Sequence, residues 1–340
     1  MNKKVKILVS WSGGKDSQAC LIWAVKKYGS KNIEAVFCDT GWEHPKTYRH
    51  VKFVCEMLKV KLTTLKSKKY DGFIDLSIKR GRVPSTKRRF CTEELKIKPM
   101  IDYVLSHRQH VFVIQGIRSD ESASRSKMNM ECRFFKYYFE PYTTNSMIVE
   151  ELQEKAKTKE LTTTQKAKLT KAINRLKLGK EDPKYHTYRK ADILEWCKTY
   201  ADDVYRPIFN WSAQETIAYS LDNHIPLNPL YYEGNSRVGC YPCIMCTKGE
   251  IKGIIERSPE TIDKIHDLEQ KSGSSFFPPN YVPAKYNRHT DNNSKKYNRI
   301  HDVVDYINDK NATGDLFKEI EEEEKESSGR RCMSAYSICE

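Results

Sequence analysis

The apolar positions in the first third of the chain fall in short blocks separated by amphipathic stretches. Val5-Lys6-Ile7-Leu8-Val9-Ser10-Trp11 is a strand-like run, and similar runs occupy Ile33 to Asp39, Lys61 to Leu65 and Val111 to Gly116. They predict strands, the first from Lys4 to Trp11. Between them, Ser17 to Tyr28, Lys46 to Leu58 and Met100 to His107 follow a helical period. This alternation predicts an α/β fold, a doubly wound parallel sheet with helices on both faces. Ligands of such sheets collect at the carboxyl ends of strands. Three polar loops fall at such ends: Ser12 to Ser17, Asp39 to Gly41 and Gly116 to Arg118.

The pattern changes between Ile148 and Tyr188, which is rich in lysine and poor in aromatics. Leu169, Ala172, Ile173 and Leu176 keep helical spacing, and Gly179 is a stop signal. A basic helical insertion over 148–188 is predicted, its lysines either holding a nucleic acid or forming a solvated face. Ser212-Ala213-Gln214-Glu215 is a capping box, and Ser258-Pro259-Glu260 marks another helix start. From Ser272 the chain turns polar and Pro/Asn-rich, with an acidic run at Glu321 to Glu324. The expected organisation is therefore a nucleotide-binding α/β domain over 1–147, the insertion, a continuation with a cysteine-rich loop over 189–271, and a C-terminal extension over 272–340.

Charge and cysteine content narrow the class. Among 340 residues, 59 Lys and Arg face 45 Asp and Glu, a net charge of +14. That favours a polyanionic partner: nucleotide, nucleic acid or acidic protein. No segment approaches a membrane span, and the first apolar run leads into a glycine turn rather than a signal cleavage site, so a cytoplasmic location without a membrane partner is expected. Eleven cysteines in that compartment argue against a disulfide framework. Cys20, Cys38, Cys55, Cys132 and Cys197 read as core packing.

The loop Ser12-Gly13-Gly14-Lys15-Asp16-Ser17 has the makings of an anion site. Glycines let the backbone turn tightly, the free amides of the helix start face outward, Lys15 adds charge, and Ser12 and Ser17 add hydroxyls. Its spacing is not the Walker pattern. Asp39 suits ribose hydroxyls or a Mg²⁺ ion on the phosphates. Arg88 and Arg89 precede Cys91 in a basic cluster that would bind phosphate or sulfate and activate the thiol. Gly116, Arg118 and Arg125 form a second anion clamp. Cys240, Cys243 and Cys246 lie three residues apart in a Gly/Pro loop, and Cys91 is the candidate fourth ligand. One remote cysteine plus a C-x-x-C-x-x-C loop suits a [4Fe–4S] cluster better than zinc, free or redox-active thiols being the remaining reading. Cys332 and Cys339 follow Arg330-Arg331 in a polar tail, where thiols either carry sulfur or stay inert.

The Ser12–Ser17 loop resembles that of the PP-loop ATP pyrophosphatases. Six blocks in order resemble the phosphoadenosine phosphosulfate (PAPS) reductase family of that superfamily: S-G-G-K-D-S at Ser12, D-T-G-W-E at Asp39, R-R-F-C-T-E-E-L-K at Arg88, G-I-R-S-D-E-S at Gly116, P-I-F-N-W-S at Pro207, and L-N-P-L-Y-Y-E-G-N-S-R-V-G-C-Y-P-C at Leu227. The resemblance runs to about residue 257. It implies a nucleotide alpha hydrolase-like fold and an adenine nucleotide, either ATP or PAPS/adenylyl sulfate. The reductases hold their catalytic cysteine in an E-C-G-x-H motif, which this sequence lacks. Adenylyl-sulfate reductases have paired cysteines in the third block, where Phe90 precedes Cys91 here. The single cysteine is similar to the DndC-like branch, whose members bind ATP, carry an iron–sulfur cluster and take part in putting sulfur into DNA. The leading expectation is ATP-dependent sulfur transfer: Ser12, Gly13, Gly14, Lys15, Asp16, Ser17, Asp39 and Gly116 hold the nucleotide, Arg88, Arg89, Arg118 and Arg125 neutralise the reacting anion, and a desulfurase or thioredoxin-like protein donates sulfur. One alternative is reduction of PAPS or adenylyl sulfate to sulfite with Cys332 or Cys339 as nucleophile. The other is a non-catalytic nucleotide-binding regulator.

Overall fold

Six strands form one sheet: β1 (Val5–Ser10), β2 (Ile33–Cys38), β3 (Lys61–Leu65), β4 (His110–Ile114), β5 (Glu131–Arg133) and β6 (Asp202–Tyr205), in the order β3-β2-β1-β4-β6-β5. This computed structural model describes residues 5–86, 88–123, 125–139, 143–180, 187–291, 294–313 and 320. β1 pairs parallel with β2 and β4, placing Ile7 opposite Ile33 and Phe112, and β2 pairs parallel with β3. Every residue of β2 is buried, as a strand covered on both faces requires. The α/β class follows the predicted alternation, with strand ends moved by one or two residues. Among the described residues no helix is long and apolar enough to cross a membrane.

The chain runs outward from β1 through β2 to β3, then returns to β4 on the other side of β1. Connections therefore leave in opposite directions at the carboxyl ends of β1 and β4, where a doubly wound sheet opens a crevice. Helix α1 (Lys15–Tyr28) starts there, helix α2 (Pro45–Met57) follows β2, and helix α3 (Gly72–Lys79) follows β3. Ala19, Cys20, Leu21, Ile22 and Ala24 of α1 pack with Val9, Ala35 and Phe37 of the sheet and Val51, Val54 and Cys55 of α2. Burial pushes the Cys55 thiol up to about 12 and Cys20 well above its usual value, so both remain packing groups. Cys132 and Cys197 are only half-buried.

A second core joins Trp42, Phe73, Leu76 and Leu95 to Ile251, Ile254, Ile265 and Leu268, and reaches on to Phe276, Phe277, Ile300, Val303, Tyr306 and Ile307. The expected polar extension is thus corrected as far as residue 313. The helix Ile300–Thr313 hides its apolar residues at i, i+3, i+6 and i+7 among acidic and amide neighbours, which dilutes the signal in composition.

The chain divides into two units, residues 1–132 with 203–340, and 133–202. The insertion expected at 148–188 falls within the second. That unit packs Phe135 against Tyr138 and Trp196 and carries two helices, Asn145–Thr158 and Thr163–Lys177, packed against each other. The second begins with a capping box between Thr162 and Gln165, and Gly179 at φ +69 follows its end. The Ser212–Glu215 capping box also forms, opening the helix Ala213–Asp222.

Candidate functional site

Helix α1 begins at Gly14 without any side chain capping its first turn. Gly13 takes φ +86, which only glycine adopts without strain, and a Cβ there would press on Thr47 and Val51 at 3.0 and 3.1 Å. Ser17 Oγ donates to the Gly14 carbonyl at 3.0 Å and lies 3.0 Å from Ser12 Oγ. Asn228 Nδ2 holds the Gly13 carbonyl and Thr47 Oγ1, each at 3.2 Å. The Lys15 amide donates to the Tyr231 hydroxyl at 3.1 Å, and Lys15 Nζ stands 5.4 Å from that ring's centre. A segment far downstream in the chain thus braces the loop that follows β1.

Gly116 closes the other side. A Cβ on it would sit 2.7 Å from the Asp16 carbonyl carbon and the Ser17 nitrogen. It is a contact glycine that lets the β4 loop touch the start of α1. Arg118 turns inward: Nε donates to Asp16 Oδ1 at 2.7 Å, and Nη1 meets Asp120. Arg125 pairs with the buried Glu121 four residues earlier. Both arginines of the expected anion clamp are thus buried in ion pairs with carboxylates. Their carboxylate partners already neutralise them, since a buried charge demands one. Asp16 likewise acts as an anchor inside the protein, 0 % exposed.

Asp39 is also occupied. Its Oδ1 accepts from the Tyr48 hydroxyl at 2.7 Å and the Gly41 amide at 2.9 Å, while Oδ2 lies 3.2 Å from Lys66 Nζ. Burial opposes its charge, but Tyr48, Gly41 and Lys66 outweigh that and hold the carboxyl below its ordinary value. Asp39, expected to meet a ribose or Mg²⁺, thus also braces this turn. Glu43, which sequence reasoning left unassigned, accepts from the Thr40 amide and hydroxyl and from Tyr48. Burial and the Glu43 and Asp39 carboxylates push the Tyr48 hydroxyl far above its usual value, so it stays a donor.

The cysteine loop is stitched to this turn. Glu43 and Cys240 form an antiparallel bridge, the Tyr241 amide donates to the Trp42 carbonyl at 2.7 Å, and Trp42 Nε1 donates to the Pro242 carbonyl at 2.9 Å. A cavity of about 600 Å³, open to solvent, results. Ser12 and Thr40 stand at one side of it, the thiols of Cys91, Cys240 and Cys243 line it, and Arg89, Lys96 and Arg237 supply positive charge. Arg237 Nη1 lies 3.9 Å from Cys243 Sγ, and Thr40 Oγ1 lies 3.7 Å from Cys240 Sγ. Burial pushes the Cys240 thiol far up, against the pull of Lys96. Arg88 is exposed and does not line the cavity. Lys96 and Arg237 went unassigned in the sequence, although both lie inside the matched blocks.

Cys246 is buried in the second core and lines a smaller recess with Cys240 and Cys243, whereas Cys91 lines the larger cavity. Four thiolates are the right donors for a soft metal. Among the described residues, however, no group of three or more His, Cys, Asp or Glu is disposed to hold a metal ion. Cys240 and Cys243 line both recesses, Cys91 joining them in the larger and Cys246 in the smaller; the four-cysteine [4Fe–4S] centre remains an expectation from the sequence. Cys332 and Cys339 lie outside the described residues.

A model of the family described as "Phosphoadenosine phosphosulfate reductase domain" matches residues 6–246. The chain is 28% identical to an uncharacterized 37.8 kDa protein of Escherichia phage 186 over 332 residues, covering 82% of this chain and 80% of that one. It is 49% identical to the adenosine 5'-phosphosulfate reductase of Neisseria meningitidis over 41 residues, which span 12% of this chain and 17% of that enzyme. The crystal structure of a PAPS reductase from Candida auris superposes with a TM-score of 0.40 at 14% identity, covering 71% of this chain and 82% of that one.

Proposed function

The chain belongs to the phosphoadenosine phosphosulfate reductase domain family, and from that premise we propose that it uses ATP to activate an acceptor for sulfur transfer. One observation carries the reading: Ser12 of the glycine loop and the thiols of Cys91, Cys240 and Cys243 line one basic cavity. A nucleotide whose phosphates lie on the start of α1 would present its reacting end to that cavity. The single Cys91 in the third block supports the DndC-like branch.

In this reading Lys15 and the first amides of α1 hold the phosphates. An acceptor oxygen attacks the α-phosphorus and pyrophosphate leaves. The terminal sulfur of a persulfide on a donor protein then displaces AMP to give an acceptor–S–S–donor disulfide, and a second thiol of the donor attacks the donor's own sulfur, releasing the acceptor as a thiol while a donor disulfide forms. Arg89, Lys96 and Arg237 stabilise the negative charge that builds on the phosphoryl oxygens, in place of Arg118 and Arg125.

The second reading, sulfonucleotide reduction, is favoured by the short stretch shared with an adenosine 5'-phosphosulfate reductase. There a thiolate attacks the sulfate sulfur, the adenosine phosphate leaves, and a second thiol releases sulfite as a disulfide forms. Each nucleotide is incubated separately with reduced protein under anaerobic conditions, and binding and sulfite are measured. Preference for ATP with no sulfite from PAPS or adenylyl sulfate supports sulfur transfer. Sulfite release establishes the reductase reading instead.

A further inference from the structure

We infer that the outer face of the helix Thr163–Lys177 is a docking surface for the major groove of double-stranded DNA. This goes beyond the nucleotide chemistry and stands on different residues. The helix carries Lys166, Lys168, Lys171, Arg175 and Lys177 and no acidic residue. Its inward face, around Leu169, Ala172 and Leu176, is settled by packing: Ala172 is 2 % exposed. At 100° per residue the outward face has an ordered layout. Ala167, Thr170 and Asn174 run along its middle, all exposed. Lys168, Lys171 and the half-buried Arg175 flank that strip on one side, Lys177 and Lys166, itself 2.8 Å from Glu160, on the other.

Two cationic rows are thus set apart by the width of one helix, with small residues between them. A helix with side chains is about 10–12 Å across, and the major groove of B-form DNA is about 12 Å wide with phosphates along both rims. Seated there, each row faces one rim while Ala167 and Thr170 allow close approach. A membrane surface fits less well, because the middle strip offers no large apolar side chain to bury. Duplex RNA fits less well too, since its major groove is too narrow to admit a helix. The strip's short side chains make few base-edge contacts, so the recognition is by charge and shape, with weak sequence preference.

The test uses the full chain and a 24-base-pair DNA duplex, following binding by fluorescence anisotropy across a salt series. The triple variant Lys168→Gln/Lys171→Gln/Arg175→Gln should reduce the slope of log K against log salt by about 0.9 for each phosphate that is no longer neutralised. Neutralising Lys198, Lys271 and Lys296 together, all remote in sequence from this helix, should leave the slope unchanged. Should the triple variant fold poorly by circular dichroism, Ala167→Trp answers the same question: it adds bulk to an exposed strip and should weaken duplex binding while keeping the helix. An unchanged slope in the triple variant, or single-stranded DNA, duplex RNA or anionic vesicles binding as tightly as duplex DNA, overturns the assignment.

Discussion

Arg118 Nε donates to Asp16 Oδ1 across 2.7 Å, with both side chains 1 % exposed. The pair ties the loop after β4 to the first turn of α1, and so fixes the two sides of the crevice relative to each other. Each has a second partner as well, Asp120 for Arg118 and Lys15 for Asp16. Asp16→Asn leaves a buried guanidinium with one carboxylate fewer, which should cost about 3–5 kcal/mol in chemical denaturation. A destabilisation below about 1 kcal/mol, the range of an exposed pair, would show that the brace is dispensable.

Gly116 supplies the closest contact in the same brace. Gly116→Ala drives a methyl into backbone atoms of Asp16 and Ser17 that cannot swing aside. A destabilisation of about 1–3 kcal/mol is expected, with weaker nucleotide binding because the start of α1 is displaced. Gly239→Ala is the control, since nothing lies within 4 Å of its added carbon. Equal melting curves for both variants would contradict the contact.

Lys15 tests the loop's ligand. It lies 3.5 Å from Asp16 Oδ2 and is partly exposed. Lys15→Ala should weaken the preferred nucleotide by about tenfold or more, in line with the roughly 1.5–3 kcal/mol of a charge-assisted bond. Calorimetry with ATP, adenylyl sulfate and PAPS measures this, and unchanged affinity for all three refutes the phosphate role.

The cavity thiols report on the same site. Cys91 and Cys243 are half-buried beside Ser12, Arg89 and Arg237. Bound nucleotide should slow their alkylation by iodoacetamide several-fold, read by peptide mass spectrometry, while Cys132 reacts at its former rate. Protection spread equally over all three would point to global stabilisation instead.

Two buried glutamates should give the stability curve opposite slopes. Glu34 is buried, and burial alone would raise its pKa, but bonds from Lys6, Thr63, Tyr103 and Lys61 bring it to about 2. Its contribution is complete above the unfolded value near 4.5 and is lost as pH falls toward 2. Glu269 is raised to about 7, mainly by burial, despite bonds from the Ile300 and Phe276 amides. The folded protein holds that proton more tightly than the unfolded chain, so stability falls as pH rises from 4.5 to 7. Glu269→Gln should flatten that second segment and leave the acid limb intact. Denaturant melts from about pH 2.5 to about pH 8 check both. A rise in wild-type stability between about pH 5 and about pH 7 that survives in Glu269→Gln would remove Glu269 from the account.

The parallel sheet, the glycine turn after β1 and the helix start at Ser212 were legible in the residues alone. Each rests on local information: a run of strand-forming residues, a glycine at positive φ, or a side chain reaching its own helix three residues on. Which charges face solvent depended on tertiary packing. Arg118 and Asp16 are 102 positions apart, and nothing near either one in sequence says that they neutralise each other. The same holds for Asp39, whose partners Lys66 and Tyr48 are brought to it by the fold. Arg89, Lys96 and Arg237 bring positive charge to the cavity, and Cys246 is buried in a core against which Cys91 also packs. The helix Ile300–Thr313 looked like tail because a narrow apolar stripe disappears in its composition. It packs because the helices Lys248–Arg257 and Glu260–Ser272 offer that stripe a surface. Local propensity writes the elements, whereas the partners of buried charges and apolar stripes exist only after distant segments meet.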